Sequence, residues 1–482
     1  MMRSLYSGVS GLRNHQTKMD VIGNNIANVN TVAFKSSSVT FNDIMYQTTQ
    51  AASGATETTG GTNAKQIGLG VATGATKISI TSAGASESTG NAFDIKLVDS
   101  NSTNFFIVNN GSSNQFTRAG SFYIDGNGNL AMASTGYLVQ GWQAVTNEDG
   151  SIGIRKDTVS SLRIMSPANR TSNPEATENA YAAGIVDKND TNIIVSDIDN
   201  VQANEGYAMS VSFYDDLGYS YTAKFALYSD DTNANNGLYR VKLVGIYDSD
   251  NTELLSKYGV AASSVFGFTN NAGTATTTSD YYDLKFDTAT GAFSYVGSAG
   301  TNSVTMNLDV LGTAIYGSVD ASPFSNVDVN FSSLLNQDNG GTSTAALDRG
   351  SVTNASVGAG KKLGTLTGVS VDTAGKIYGS YDNGNTVLLG QIAVAQFSNA
   401  SGLESLGNNC YGETLNSGEF DGIGVEVSAD GGQMLTGQLE MSNVDLAQEF
   451  TSMITTQRGF QANSRIITVS DTMLEELTNL KR

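Results

Sequence analysis

Two terminal stretches decide the fold of this chain. The amino-terminal one is SLYSGVSGLRNHQTKMDVIGNNIANV (Ser4–Val29), and the carboxy-terminal one is LAQEFTSMITTQRGFQANSRIITVSDTMLEELTNL (Leu446–Leu480). In both, apolar residues recur at steps of three or four or of their sum, which is typical of a helix that keeps one face against a partner helix. The apolar stripes are Leu5, Val9, Leu12, Met19, Ile22, Ile26 and Val29, and Leu446, Phe450, Met453, Phe460, Ile467, Leu474, Leu477 and Leu480.

The residues between these stretches have a different composition. They are rich in Gly, Ser, Thr and Asn, and short apolar runs alternate with turn residues, which predicts β-strands. We therefore predict a multi-domain, mainly β protein whose N- and C-terminal helices form a coiled-coil pair, followed outward by nested β domains. The predicted domains are a helical core at 1–30 with 440–482, an irregular connector at 31–74, a first β domain at 75–150 with 358–439, and an inserted outer β domain at 151–357.

This layout indicates a subunit of a tubular polymer rather than an enzyme. Two helices cannot cover all of each other's apolar surface, so other subunits should bury the remaining faces. We therefore take all the stripe residues except Leu480 as the candidate polymerisation core.

The composition argues against several other functions. The chain has 26 Lys plus Arg against 46 Asp plus Glu, a net charge of −20, and residues 151–357 alone hold 23 acidic and 11 basic residues. Such acidity disfavours binding to nucleic acid or to an anionic membrane. No apolar run is long enough to predict membrane insertion, and no signal peptide is visible at the start. One Cys and one His leave little for catalysis, so we expect no enzymatic activity, no metal site and no cofactor.

A few single positions allow two readings. His15 lies between two stripe positions, either as a partly exposed residue of the helix face or as a proton switch in an assembled core. Cys410 is either a small buried residue or an intermolecular crosslink. The string Asp125-Gly-Asn-Gly-Asn129 favours a hairpin turn over a calcium loop. Asp215 and Asp216 favour a turn over a catalytic carboxylate pair.

Several motifs resemble those of a known family. The strings Leu5-Tyr-Ser-Gly-Val-Ser-Gly-Leu12 and Gly23-Asn-Asn-Ile-Ala-Asn-Val-Asn-Thr-Val-Ala-Phe-Lys35 are similar to the start of the bacterial flagellar rod and hook (axial) proteins. The strings Gly437-Gln-Leu-Glu-Met-Ser-Asn-Val-Asp-Leu446 and Gln457-Arg-Gly-Phe-Gln-Ala-Asn463 are similar to the end of the same family. Phe116-Thr-Arg-Ala-Gly-Ser-Phe122 is similar to its first β domain.

The long insertion points to the hook branch of that family, because the rod branch is shorter and Phe213-Tyr-Asp-Asp-Leu-Gly218 resembles the outer domain of hook proteins. The resemblance implies a structural subunit of a curved flexible tube, the bacterial flagellar hook, which acts as a universal joint and passes motor torque to the filament. It also implies an extracellular location in the flagellum, reached by type III export without a cleaved signal peptide.

The partners implied by the resemblance are further copies of the chain, a distal rod protein, a hook-cap scaffold, a hook–filament junction protein and the flagellar type III export apparatus. A distal rod protein of the same axial family is the nearest alternative. A β-rich surface adhesin or carbohydrate-binding protein would explain the Thr- and Asn-rich body but would leave both helical stretches unexplained.

Overall fold

The protein consists of two compact units. The structure, a computed structural model, describes residues 2–147, 151–196, 205–272 and 275–480 of the 482-residue chain. The helix-bearing unit comprises Met1–Asn169, Gly368–Ser380 and Thr386–Arg482, and the inserted unit comprises Arg170–Thr367 and Tyr381–Asn385. The mainly β architecture with helices at both ends confirms the predicted fold class.

The elements follow one another in three stretches. The first contains α1 (Met2–Ala27), β1 (Ser37–Asp43), β2 (Tyr46–Gln50), β3 (Lys65–Gly68), β4 (Val71–Ile78), β5 (Ser86–Ser88), β6 (Ile95–Val98), β7 (Asn104–Asn109), β8 (Asn114–Thr117), β9 (Phe122–Ile124), β10 (Leu130–Met132), β11 (Leu138–Thr146), β12 (Ile152–Ile154) and β13 (Ser160–Ser161), followed by a 3₁₀ turn at Pro167–Arg170. The second contains β14 (Thr171–Ser172), β15 (Asn179–Val186), β16 (Tyr207–Tyr214), β17 (Ser220–Tyr228), α2 (Asp231–Asn235), β18 (Leu238–Tyr247), α3 (Leu254–Tyr258), α4 (Ala262–Val265), β19 (Phe268–Ala272), β20 (Ala275–Ser279), β21 (Tyr281–Phe286), β22 (Phe293–Val296), β23 (Ser303–Met306), α5 (Asp309–Tyr316), β24 (Val327–Asn336) and β25 (Ala346–Arg349). The third contains β26 (Gly364–Val371), β27 (Lys376–Tyr381), β28 (Thr386–Ile392), β29 (Val394–Gln396), β30 (Glu404–Gly407), β31 (Cys410–Gly412), β32 (Gln433–Thr436), β33 (Gln438–Glu440) and α6 (Leu446–Asn479), with 3₁₀ turns at Ala400–Gly402 and Val427–Asp430.

Both terminal helices form where the apolar stripes predict them, and they pack against each other. The carboxylate of Asp445 accepts hydrogen bonds from the backbone N–H groups of Ala447 and Gln448, which caps the first turn of α6. Val29, which we assigned to the amino-terminal stripe, lies beyond the end of α1. Neither of these long helices is apolar enough to cross a membrane.

The predicted irregular connector is wrong for most of its length. The segment at 37–78, called the ribbon below, is a two-stranded antiparallel ribbon in which β1 pairs with β4 and β2 pairs with β3. Nearly all of its residues from 42 to 77 are exposed on both faces. Because such a ribbon has no buried face along this part, it needs no alternation of apolar residues. The sequence therefore carried no strand signal there.

One antiparallel sheet organises the β part of the helix-bearing unit, with strand order β27-β28-β11-β7-β8-β31-β30. Strand β7 lies near its centre and is buried on both faces, since Phe105 and Ile107 belong to one hydrophobic cluster and Phe106 and Val108 to another. Alternate side chains of a strand point to opposite faces, so this strand anchors two cores at once. The loop after Tyr123 and Ile124 is the predicted hairpin turn between β9 and β10.

The observed division between the units differs from the predicted domain boundaries. Strands β12 and β13 pair with β11, so residues 152–161 belong to the helix-bearing unit rather than to the predicted outer domain. Residues 358–367, which we predicted in the first β domain, belong to the inserted unit, where the start of β26 pairs with β14. Residues 148–150, our predicted end of the first β domain, lie outside the described residues.

The inserted unit has one main hydrophobic core between two sheets. A five-stranded antiparallel sheet has the order β16-β17-β18-β21-β22, and a four-stranded sheet has the order β23-β24-β15-β25 with β15 and β24 parallel. Residues such as Val211 and Phe225 of the first sheet and Val329 and Phe331 of the second belong to the same buried cluster. Asp215 sits in the predicted turn, where its carboxylate accepts hydrogen bonds from backbone N–H groups.

Two buried carboxylates fasten a loop of the inserted unit. Asp187 accepts hydrogen bonds from the backbone N–H groups of Asn339 and Gly341, each at 2.8 Å. Asp190 accepts one from the N–H of Ser343, also at 2.8 Å. Burial alone would raise the pKa of both carboxyls, but the backbone donors outweigh it and lower the pKa of each below its ordinary value.

We expect Asp187→Asn to destabilise the inserted unit by about 1–3 kcal/mol at neutral pH, because an amide cannot replace the charged acceptor. Because the folded-state pKa of Asp187 is lowered, its stabilisation is present above the ordinary value of 3.8 and is lost as the pH falls through the folded-state pKa. Calorimetry of the full chain at neutral and acidic pH should therefore show a smaller loss of stability in acid for the variant. Asp320→Asn, at an exposed position, is the control, and equal pH dependence in wild type and Asp187→Asn would contradict this assignment.

Candidate functional site

The face of α6 that packs on α1 follows a heptad repeat. Its half-buried apolar residues are spaced by seven, and small or polar residues alternate with them; two of these polar residues are nearly fully buried. We call this set the α6 seam: Met453, Thr456, Phe460, Asn463, Ile467, Ser470 and Leu474. At the end of the pair, the hydroxyl groups of Ser4 and Ser470 lie 3.4 Å apart.

Glycines let the two helices approach closely. A Cβ atom added to Gly8 would lie 3.3 Å from Ile467, and one added to Gly11 would lie 2.7 Å from the side-chain nitrogen of Asn463. On α6, a Cβ at Gly459 would lie 2.8 Å from the ring of His15. Glycine therefore serves this interface by its lack of a side chain, although it weakens each helix taken alone.

The ribbon covers a second face of α1. The hydroxyl of Thr73 donates to Asn14 at 2.8 Å, and the backbone N–H of Val71 donates to the hydroxyl of Ser10 at 3.3 Å. The ring of His15 meets that of Phe41 edge-on, with centroids 5.9 Å apart. Burial, and then the charge of Lys18, lower the pKa of His15. This histidine is thus half-buried on α1, between α6 and the ribbon.

Two buried polar atoms remain unsatisfied at this contact. The Nδ2 atom of Asn14 and the Nδ1 atom of His15 have no hydrogen-bond partner among the described residues. Such atoms are rare in protein interiors and make the contact less stable than its packing alone would suggest. The helix pair of one subunit is therefore a closely packed coiled-coil pair whose contact combines half-buried apolar side chains with buried polar ones.

The predicted polymerisation residues fall into two groups. Ile22 is buried, and Leu5, Val9, Leu12, Met19, Ile26 and Val29 are half-buried. Met453, Phe460, Ile467 and Leu474 lie half-buried on the α6 seam, whereas Leu446, Phe450 and Leu477 are exposed on other faces of α6.

Sequence reasoning missed a second apolar stripe on α6. It consists of Ile466, Val469, Met473, Leu477 and Leu480, spaced by three or four residues and all exposed. We call it the exposed stripe. The helical spacing of this stripe is visible in the sequence. Each of its members except the last two lies one residue before a seam residue, so a single heptad assignment for α6 did not separate the two stripes.

Two asparagines connect the helix pair to the β part of this unit. The fully buried side chain of Asn25 donates to Ser37 O at 2.8 Å and to the Glu449 carboxylate at 3.0 Å. The side chain of Asn443 accepts from the backbone N–H of Ser36 at 2.7 Å and donates to Ser79 O at 2.9 Å. Each asparagine thus links segments that are far apart in the sequence.

A buried group of charges lies beside these asparagines. The Glu440 carboxylate accepts a hydrogen bond from Lys35 Nζ at 2.7 Å and from Arg118 Nη2 at 3.0 Å. Arg118 also contacts the Asp99 carboxylate at 2.6 Å. The side chains of Lys35 and Arg118 are 1% exposed and that of Glu440 is 0% exposed. We call these four residues the ionic cluster.

Every charge of the ionic cluster is compensated. Burial lowers the pKa of Lys35, and Glu440 opposes that shift. Burial would raise the pKa of Glu440, but Arg118 and Lys35 lower it below its ordinary value. A further hydrogen bond reaches Glu440 from the N–H of Gly84 at 3.0 Å. With two cations and two carboxylates, the cluster is neutral as a whole, which is the condition under which buried charges are tolerated.

Comparison with known proteins places these features in a family. Residues 5–35 match the model "Flagella basal body rod protein", 101–168 match "Flagellar hook protein FlgE/F/G D1 domain", and 435–480 match "Flagellar basal body rod FlgEFG protein C-terminal". The flagellar hook protein FlgE of Borreliella burgdorferi is 36% identical over 482 residues, and that of Treponema pallidum is 33% identical over 486 residues; the alignments cover 100% of both chains in each case.

The chain belongs to the flagellar hook protein family.

The flagellar basal-body rod protein FlgG of Bacillus subtilis is also similar, at 28% identity over 482 residues, covering 100% of both chains. The resemblance of the terminal motifs is thereby confirmed, and the family is a structural one. The three matched segments contain Lys35, Arg118 and Glu440, one in each, so the ionic cluster joins the parts of the chain that carry the family's features.

A bulky residue at Gly459 should separate the two helices. We expect Gly459→Leu to weaken the α1–α6 contact by about 1–3 kcal/mol, because the side chain would overlap His15. Gly23→Leu is the matched control, since a Cβ there would meet nothing within 4 Å. Hydrogen exchange of residues 2–27 in the full chain measures the contact. Equal exchange in the two variants would show that the close approach at Gly459 is wrong.

Proposed function

We propose that this chain is a structural subunit of the bacterial flagellar hook, in which copies polymerise into a curved flexible tube that passes motor torque to the filament. The observation that carries the proposal is the exposed stripe of α6. Its row of five apolar side chains on a terminal helix is exposed in the part of the subunit that the structure describes. Contiguous apolar surface of this kind marks a protein contact site.

A second copy of the chain is the occupant that fits this surface best. The stripe lies on the same helix as the α6 seam, so it continues the helix pair outward and offers a further helix-packing face. Phe450 and Ile454 add exposed apolar surface near the start of α6. In a tube, each subunit would pack its terminal helices against those of its neighbours. This packing would bury the exposed stripe together with Phe450 and Ile454, which lie on faces of α6 that α1 leaves open.

The inserted unit would set the outer surface and the shape of the tube. Residues 151–357 carry 23 acidic against 11 basic residues, and such a charge density favours solvent exposure. Contacts between acidic surfaces are sparse and polar, and they can slide when the tube bends. The helical core, by contrast, cannot slide without breaking its packing.

The remaining partners are proposed from the resemblance to the family. We propose contacts with the distal rod protein at one end and with the hook-cap scaffold and the hook–filament junction protein at the other. Export through the flagellar type III apparatus without a cleaved signal peptide would bring the chain to its extracellular place in the hook.

A rod subunit remains the nearest alternative, because a rod protein is among the full-length relatives. Electron microscopy of cells that lack this gene distinguishes the two. We expect cells that keep the rod but have neither hook nor filament. Cells that lack the distal rod as well would favour the rod assignment instead.

A charge placed on the exposed stripe should prevent polymerisation without unfolding the subunit. Met473 is 49% exposed, so Met473→Asp should leave the subunit intact. Burial of a methionine side chain between subunits contributes about 1.5–3 kcal/mol of free energy to assembly. The variant loses this contribution at every subunit of the tube. Complementation of the deletion strain, followed by counting of hooks, measures the effect.

Thr468→Asp is the matched control, since it adds the same charge at an exposed position off the stripe. We expect hooks of normal number with this control and few or none with Met473→Asp. Normal hooks from both variants would exclude the exposed stripe as a contact between subunits.

A further inference from the structure

We propose that the ionic cluster makes docking of the amino-terminal segment conditional on the arrival of the carboxy-terminal strand. In this device, the segment around Lys35 binds stably to the β part of the helix-bearing unit only when Glu440 is in place. The inference concerns the folding of one subunit, and it holds whether or not the chain polymerises as proposed above.

The argument starts from the balance of charge. Glu440 is the shared acceptor of two cations that come from different segments, and the carboxylate uses one oxygen for each. Arg118 has a second carboxylate partner, Asp99. Within the described ranges of the chain, Lys35 has only the carbonyl of Ser82, at 2.7 Å, as a further hydrogen-bond acceptor. Without Glu440, the site would hold a net positive charge at Lys35.

An uncompensated ammonium group at this depth is strongly unfavourable. The Lys35 side chain is 1% exposed, so it cannot keep its hydration while the segment stays docked. The charge of Arg118 also repels that of Lys35, since it contributes to lowering the pKa of Lys35. The undocked segment avoids both effects because its lysine returns to water. Loss of Glu440 therefore favours undocking rather than a rearranged bound state.

The order in which the chain is made or delivered then determines when the amino-terminal segment can dock. Lys35 and Glu440 are 405 residues apart in the sequence. A chain made or delivered amino end first contains both cations long before the carboxylate that joins them. During that time the amino-terminal segment has no neutral site to occupy. It docks when β33 pairs with β5 and brings Glu440 to the cluster.

Hydrogen exchange of the purified full-length chain tests the proposal with four proteins: the wild type, Glu440→Gln, Lys35→Met and the double variant. We expect Glu440→Gln to raise exchange of residues 31–37 and 79–85 about a hundredfold or more, because one buried cation is left without its partner. The double variant should return to within about tenfold of the wild type, since the unpaired cation has been removed. Lys35→Met alone should also raise this exchange, because it leaves one net negative charge in the site, but by less than Glu440→Gln does, because Glu440 keeps Arg118 and the N–H of Gly84.

Strands β7 and β8 report whether the β part remains folded, and their exchange should stay constant in all four proteins. If Glu440→Gln unfolds this part as well, the double variant must restore it. The proposal is overturned if Glu440→Gln exchanges like the wild type. It is also overturned if the double variant exchanges like Glu440→Gln, because Glu440 would then act through its packing and hydrogen bonds rather than through its charge.

Discussion

Glu440 is fully buried, and a carboxylate cannot stay ionised there without cations close by. Lys35 from the amino-terminal segment and Arg118 from the β part supply these cations. The contacts that join the two chain ends to the β part lie around this ionic cluster. Strand β33 reaches it by pairing with β5, and Asn25 and Asn443 fasten the adjoining segments. The two chain ends thus leave the β part side by side, which is why α1 and α6 can pair.

The helix pair itself is built for contact rather than for independent stability. Gly8, Gly11 and Gly459 bring the backbones close together, and Asn14 and Ser470 occupy positions that an ordinary apolar core would give to aliphatic residues. Much of the apolar surface of α6 remains exposed, on a stripe next to the seam. A pair of this kind gains its full burial when further helices pack on it, as in a polymer of identical subunits. Assembly of the tube would then add stability to a helix pair that already forms within the subunit.

The sequence predicted the fold class and both helices because the stripes at Leu5–Val29 and Leu446–Leu480 repeat over many turns. It also predicted the hairpin turn at 125–129. It did not predict the ribbon, since most residues of a ribbon exposed on both faces need no apolar pattern. The domain boundaries differed because β12 and β13 are strands of only three and two residues that join the sheet through pairing with β11, a contact that no local pattern encodes.

The candidate site was predicted only in part, for a physical reason. A heptad pattern shows which face of a helix is apolar but does not show which of two adjacent stripes its own partner covers, so Phe450 and Leu477 were grouped with the seam. The ionic cluster joins residues from three distant segments. Lys35 and Arg118 are single charges within otherwise uncharged motifs, which is a signal that we did not use. Charge compensation across hundreds of residues becomes visible only in the folded chain.

The central claim is that both ends of one chain pair with each other within the same subunit. The hydroxyl groups of Ser4 and Ser470 lie 3.4 Å apart, so cysteines at these positions should form a disulfide when Cys410 is replaced by Ala. Oxidation of the purified subunit and of assembled tubes, followed by denaturing electrophoresis, reads out the partner of each cysteine. The account predicts a linked single chain of altered mobility in both samples. Thiols that stay free in the subunit, or chains linked to one another in the tubes, would contradict it.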